Sequence, residues 1–251
     1  MAWQRATGGL HFLTMKAMIL AAGRGERMRP LTDTMPKPLL AVGGKPLIVW
    51  HIENLVRAGI TEIIINHAHL GYMLELALGD GSQHGAQIRY SPEGEALESA
   101  GGIAHALPLL GDAPFLLVNG DIFIDFDFGR AQEVAMAMRA NPDRFAAYLV
   151  LVDNPAHNEQ GDFALEGSMV RLSGQRMLTF TGVAVYQPNI FRDIARGTKA
   201  RLAPLLKTLI GVELVQGEHH HARWVDVGTP QRLATLDSAM TRSTPLPSEF
   251  R

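Results

Sequence analysis

The sequence predicts an α/β fold built on a mixed, mainly parallel sheet, and three features carry that prediction. Short apolar runs (17–21, 60–66, 115–118) alternate with segments whose apolar residues recur at helical spacing, the pattern of successive βαβ units. Some of these runs, such as Ile63-Ile64-Ile65, are apolar without a break, as strands covered on both faces must be. After Val152 the runs shorten and turn residues separate them, which marks a small antiparallel subregion laid against the parallel half.

Taken in order, residues 17–21 form a buried strand that runs directly into Ala22-Gly23-Arg24-Gly25. Residues 46–58 read as a helix, with Pro46 in its first turn, Leu47, Ile48, Ile52, Leu55 and Val56 on one face, and Gly59 closing it. A strand at 60–66, a short helix at 69–78, a strand at 87–90 and a helix at 99–110 follow. A buried strand at 115–118 ends in Asn119-Gly120-Asp121, and a helix at 129–140 leads to a strand at 146–152. Stretches 161–165, 169–172 and 178–186 read as antiparallel strands, 188–196 and 203–210 as helices, 223–227 as a last strand and 229–242 as a closing helix. Residues 1–14 are read as a disordered leader before Met15-Lys16, and 244–251 as a loose tail. Between them, 15–243 is one unit with two lobes, 15–140 and 141–243.

Composition narrows the function. The 251 residues are 47% hydrophobic with a net charge of −2, which gives an ordinary core and argues against a nucleic acid or an acidic membrane as partner. There is no cysteine, which excludes disulfides, thiolate metal sites and a thiol nucleophile, and fits a reducing, cytoplasmic compartment. No apolar run reaches the ~20 residues a membrane helix needs, and 1–14 lack the apolar core of a secretory signal.

Positive charge is concentrated between Arg24 and Lys37. A strand opening into a glycine turn lets backbone N–H groups approach a phosphate, because no Cβ stands in the way. Arg24, Arg27, Arg29 and Lys37, the last set between Pro36 and Pro38, supply the charge a polyphosphate needs. The turn lacks both the third glycine of the dinucleotide fingerprint and the Gly-Lys-Ser/Thr of a Walker loop, so hydride transfer and P-loop chemistry are disfavoured.

Other candidates have neutral readings. Asn119-Gly120-Asp121 reads as a turn, although it stands at the carboxyl end of an apolar strand, where open α/β sheets bind ligands. Asp226, in Trp224-Val225-Asp226-Val227-Gly228-Thr229, also reads as the turn before the last helix. Asn66 is equally a cap or a ligand. His219-His220-His221 invites a metal, but successive strand side chains alternate faces, so a solvated loop is the expectation. Phe180, Tyr186 and Trp224 are assigned to the core.

LAAGRGERMRPLT…PKPL resembles the signature of the sugar-1-phosphate nucleotidyltransferases, and the similarity extends from Met15 to about Arg242. INHAHLG, LGDGSQHGAQIRYSPEGEALESAGGI, FLLVNGDIFIDFDF, LVDNPAHNEQGDF and WVDVGTPQRL resemble the short bacterial branch that uridylylates N-acetylmuramate-1-phosphate in peptidoglycan recycling. The resemblance implies a Rossmann-like, three-layer (GT-A-like) fold with the sugar site in its antiparallel subregion. It implies that a nucleoside triphosphate (UTP foremost) and a sugar-1-phosphate give a nucleotide sugar and pyrophosphate. Ala22, Gly23, Gly25, Glu26, Arg27 and Lys37 would hold the triphosphate, Arg27 and Lys37 acting catalytically, with Ser91 and Gly101 on base and ribose. Asp121 and Asp226 would hold Mg²⁺, a pairing suited to an octahedral oxygen-loving ion. Many hexose members carry Glu-Lys-Pro in the sugar lobe. This chain does not, so Asn154, Asp162, Arg171 and Gly182 become its candidate sugar contacts. Guanylyl or thymidylyl transfer to mannose- or glucose-1-phosphate is the alternative within the class, and a non-catalytic nucleotide-sugar sensor the alternative outside it. Because no hexapeptide-repeat helix follows the closing helix, a monomer or weak dimer is expected.

Overall fold

A computed structural model describes residues 15–242, so the readings of 1–14 and 244–251 lie outside the described residues. The chain runs β1 (Ala17–Leu20), a 3-10 turn (Glu26–Met28), α1 (Leu31–Thr34), a second 3-10 turn (Lys37–Leu39), β2 (Ala41–Val42), β3 (Lys45–Pro46), α2 (Leu47–Arg57), β4 (Glu62–His67), α3 (Gly71–Leu78), β5 (Gln87–Pro92), α4 (Glu98–Leu110), β6 (Phe115–Asn119) and β7 (Ile122–Ile124). It continues through α5 (Gly129–Ala140), β8 (Ala147–Val152), β9 (Phe163–Glu166), β10 (Met169–Arg171), β11 (Met177–Tyr186), α6 (Leu202–Gly211), β12 (Val215–His219), β13 (Trp224–Asp226) and α7 (Pro230–Arg242).

Nine strands form one sheet in the order β5-β4-β1-β6-β11-β8-β12-β10-β9. The first four run parallel, as do β8 and β12, while β11 passes antiparallel between β6 and β8. The sheet is therefore mixed, as expected, but less parallel than the sequence suggests. Strand alternation sends Ala17 and Ile19 to one face, against α2, α3 and α5, and Met18 to the other, against α4 and α6. Helices thus cover both faces, giving three layers. Ile19, Ile48 and Ile52 have no exposed surface, and each such side chain contributes about 1.5–3 kcal/mol by leaving water. A third apolar cluster, with Val42, Leu47, Phe123, Val225, Val227 and Leu236, joins α7 and β2 to the β7–β13 pair.

Three elements differ from expectation. Residues 188–196 do not form a helix. Only a 3-10 turn (Pro188–Phe191) forms, continued by a bond from Ile194 N–H to Phe191 C=O, because Pro188, Phe191 and Ile194 recur at spacing three and anchor one side. β7 is too short to signal itself. β12, Val-Gln-Gly-Glu-His, is too polar, yet it pairs with both β8 and β10. Among the described residues no helix is long and apolar enough to cross a membrane.

Candidate active site

The carboxyl ends of β1, β4 and β6 point the same way, and a cavity of about 460 Å³ opens above them. That volume suits a nucleotide-sized ligand. Gly23, Gly25, Arg27, Lys37 and Asp121 line it together with Ala22 and Glu26. Gly23 has open space where a Cβ would stand, so backbone is what the cavity meets there. Gly25 adopts φ +69°, and a Cβ on it would lie 2.9 Å from Thr32 Cγ2. Thr32 in turn donates its hydroxyl to the Gly25 carbonyl at 2.9 Å, fixing the loop.

The three arginines do not act alike. Arg24 binds the Thr32 carbonyl at 2.7 Å and pairs with Asp33, and Arg29 pairs with Glu26 and Asp33. Arg24 lines the cavity while held by these partners, whereas Arg29 is about half exposed and its pairs contribute little. Arg27 has no carboxylate partner among the described residues, and its guanidinium stands over Gly228, where a Cβ would lie 3.1 Å from Nη2.

A buried brace ties this loop to the cavity's second wall. Asn66 Oδ1 accepts from Ala21 N–H at 2.9 Å, and Asn66 Nδ2 donates to Glu93 Oε1 at 2.6 Å. Glu93 Oε2 then accepts from Leu97 N–H at 2.8 Å. Asn66 thereby acts as a structural link at the cavity floor. Gly102 leaves room for the brace: a Cβ there would stand 2.5 Å from Glu93 Oε1 and 2.8 Å from Asn66 Nδ2. Gly102→Ala should destabilise the fold by about 1–3 kcal/mol and raise the nucleotide KM, since overpacking at this point separates two loops. A melting curve and KM matching the parent would show that the brace does not hold the cavity.

The two carboxylates, far apart in sequence, are joined by a strand pair of which the sequence showed only the second member. β7 and β13 run antiparallel with Asp226 opposite Ile122, and Val227 N–H donates to the Asp121 carbonyl at 3.0 Å. Gly120 is required just before: a Cβ would lie 2.7 Å from the Leu20 carbonyl, which accepts Gly120 N–H at 2.8 Å. Lys37, 7% exposed, donates to Asp121 Oδ2 at 2.6 Å. Asp226 Oδ2 lies 3.1 Å from Arg232 Nη1 and 3.3 Å from His157 Nε2. The other oxygen of each carboxylate has no protein partner among the described residues, a donor set that fits an oxygen-coordinated divalent cation.

Arg232, on α7, was not foreseen. It is 9% exposed, its Nε makes no hydrogen bond, and its contact with Asp226 lacks hydrogen-bond alignment. Only its position within WVDVGTPQRL could have pointed to it.

His51 fixes β7 from beneath by donating Nε2–H to the Ile122 carbonyl at 2.8 Å. Burial pushes its pKa down to about 4, against smaller opposing effects of that hydrogen bond and of Asp121. The unfolded chain therefore binds the proton first, with a pKa near 6.5. Stability is complete above that pH and falls by on the order of 3 kcal/mol as pH drops toward 4. His51→Gln, which keeps a donor, should flatten the urea midpoint between pH 7 and 4.5. An unaltered slope would assign the acid sensitivity to other groups.

Several expected contacts lie elsewhere. Ser91 is buried in β5 and Gly101 is packed under Thr198, its N–H bonded to the Ala200 carbonyl, so neither lines the cavity. Ala96, Glu98 and Ser99 stand in their place, Glu98 with φ +62°. Asn154 bonds the Glu159 and Met177 carbonyls and the Thr179 hydroxyl, and Asp162 Oδ2 accepts from Phe180 N–H. Gly182, with φ +84°, leaves room for the Asn119 side chain at a bulge in β11. Arg171 is paired with Glu166 and Glu213. Only part of the histidine run is the expected loop: His220 and His221 follow the strand, and His221 is exposed. His219 closes β12 inside the sheet, with only 14% of its side chain exposed. Trp224, assigned to the core, is partly buried and lines a cleft beside Asp226 with His157 and Arg232.

A glycine loop at the end of β1, a buried lysine on Asp121 and a second carboxylate brought beside it define a nucleotidyltransferase. The chain belongs to the nucleotidyl transferase family, whose profile matches residues 16–243. It is 56% identical over 223 residues to the N-acetylmuramate alpha-1-phosphate uridylyltransferase of Neisseria meningitidis serogroup B, spanning 87% of this chain and 95% of that protein. It is 35% identical to the protein of the same description from Caulobacter vibrioides, over 90% of this chain and 97% of that one. The crystal structure of HddC from Yersinia pseudotuberculosis complexed with GMP-PN has the same fold, with a TM-score of 0.73 at 18% identity, covering 90% of this chain and 99% of that one.

Proposed function

We propose that this enzyme joins UTP to N-acetylmuramate-1-phosphate, releasing pyrophosphate and forming UDP-N-acetylmuramate. The convergence of Lys37, Asp121 and Asp226 beside the glycine loop carries the reaction. The 56% identity to the Neisseria protein supports the substrate pair.

A sugar-phosphate oxygen attacks the α-phosphorus. A new P–O bond forms, the bond from that phosphorus to the oxygen bridging the β-phosphate breaks, and pyrophosphate leaves with the electron pair. A phosphate monoester carries between one and two negative charges at pH 7, so no general base is needed. The obstacle is the meeting of two polyanions, and the protein's part is positioning and charge neutralisation. Backbone from Gly23 to Glu26 holds the triphosphate. Lys37 leaves Asp121 to bridge the α-phosphate and the incoming phosphate, while Arg27 meets the leaving pyrophosphate. Asp121 and Asp226 would hold Mg²⁺, which when bound supplies further neutralisation and in-line alignment. Asn154 and Asp162 are engaged in hydrogen bonds within the fold and Gly182 is packed against Asn119, so the sugar contacts fall to other residues.

The test is a pyrophosphate-release panel of UTP, GTP and dTTP against the 1-phosphates of N-acetylmuramate, N-acetylglucosamine, glucose and mannose. The highest kcat/KM is expected for UTP with N-acetylmuramate-1-phosphate. A preference for GTP with mannose-1-phosphate, or for a glucose-1-phosphate pair, would overturn the assignment. No turnover with any pair would indicate a sensor.

A further inference from the structure

We infer that Asp153, His219 and His221 form a binding site for a divalent cation of the zinc class, separate from the Asp121–Asp226 pair. β8 and β12 are adjacent and parallel, with Leu151 opposite His219, so both chains leave the sheet at the same edge. Side chains alternate along a strand and cross-strand partners share a face. Asp153, two residues beyond Leu151, therefore shares a face with His219, and so does His221, two residues further along its own chain. Alternation excludes three consecutive histidines from one point, but it permits the outer two with a carboxylate from the neighbouring strand. His220, the middle one, turns instead to Phe126, with ring centroids 5.4 Å apart.

One ligand atom from each of the three side chains lies within 4.8 Å of the others. His219 Nε2 is 3.0 Å from Asp153 Oδ1, and the two imidazole rings are 4.0 Å apart between centroids. His219 Nε2 is buried and makes no aligned hydrogen bond among the described residues, which leaves it open to a ligand. Arg176 competes for Asp153 Oδ1 at 2.6 Å, but its side chain is 68% exposed and free to swing into solvent. Two imidazole nitrogens and one carboxylate oxygen, with a position left for water, suit Zn²⁺, Co²⁺ or Ni²⁺, whereas Mg²⁺ takes oxygen ligands. Asp153 and His221 also line the cleft that reaches Asp226, so the ion would stand in its wall.

The metal-free full-length chain would be titrated with Co²⁺ in excess Mg²⁺ and followed by visible absorption and equilibrium dialysis. The expected result is one equivalent of Co²⁺ with the intense d–d bands of a low-coordinate site, displaced by Zn²⁺. His221→Ala and His219→Gln should each weaken binding at least about tenfold and remove the bands. Asp121→Asn should leave them unchanged. Since His221 is exposed, His221→Ala should keep the parent melting temperature, so lost binding there reports the site and not the fold. Absence of the bands, bands that survive in both histidine variants, or bands lost with Asp121→Asn would each overturn the inference.

Discussion

Lys37→Ala is expected to lower kcat by at least about 100-fold while the fold survives, the scale of removing one preorganised charge from a reaction centre. Lys37 is 7% exposed and its ammonium rests on Asp121, so it is already desolvated and close to the carboxylate that would flank the α-phosphate in the proposed reaction. Its removal leaves Asp121, with 40% of its side chain exposed, to be hydrated, so no buried charge is stranded and melting should change little. The Mg²⁺ concentration for half-maximal rate should not rise, because the ammonium and a metal ion compete for the same carboxylate. Nucleotide KM should change far less than kcat, since the bridging contact forms only as the two phosphates meet. Steady-state kinetics at several Mg²⁺ concentrations decide the matter. Near-parent turnover would remove Lys37 from the mechanism, and a loss confined to KM would make it a ground-state anchor only.

The parallel half of the molecule was legible because its strands are buried on both faces. Ile63-Ile64-Ile65 and Phe115–Asn119 show in the sequence the apolar continuity that such burial demands. The glycine loop was legible as a cavity wall because a strand opening straight into two glycines leaves backbone uncovered there. The arginines' division of labour was not, since it depends on Glu26 and Asp33 folding back onto Arg24 and Arg29. Ser91 and Gly101 illustrate a common ambiguity: a small residue near a site leaves room either for a ligand or, as Gly101 does beneath Thr198, for the protein's own backbone. Arg232 illustrates another, because an arginine on a closing helix is ordinarily a solvated one. The histidine run was read on one strand alone, and alternation within it could not show that β12 lies beside β8, whose end brings Asp153 near His219.

Asp121→Asn should raise the Mg²⁺ requirement at least about tenfold and lower kcat at ordinary Mg²⁺ by a factor on the order of 100, with partial recovery at high metal. The substitution is nearly isosteric, and its amide oxygen still accepts from Lys37, so the buried ammonium keeps a partner and the fold should hold. What changes is the charge presented to the metal. Asp226 remains, but its Oδ2 faces Arg232 and His157, so it cannot alone offset a divalent ion beside two polyanions. The β7–β13 pairing makes the two carboxylates one unit: their backbones are bonded through Val227 N–H and the Asp121 carbonyl. Asp226→Asn should therefore show the same metal dependence, and the double variant should cost less than the product of the two single losses, as for residues that act together. Strictly multiplicative losses would mean that the two side chains act on different species. An Asp121→Asn enzyme with the parent's metal dependence would remove that residue from the metal site, leaving Lys37 as the reason for its carboxylate.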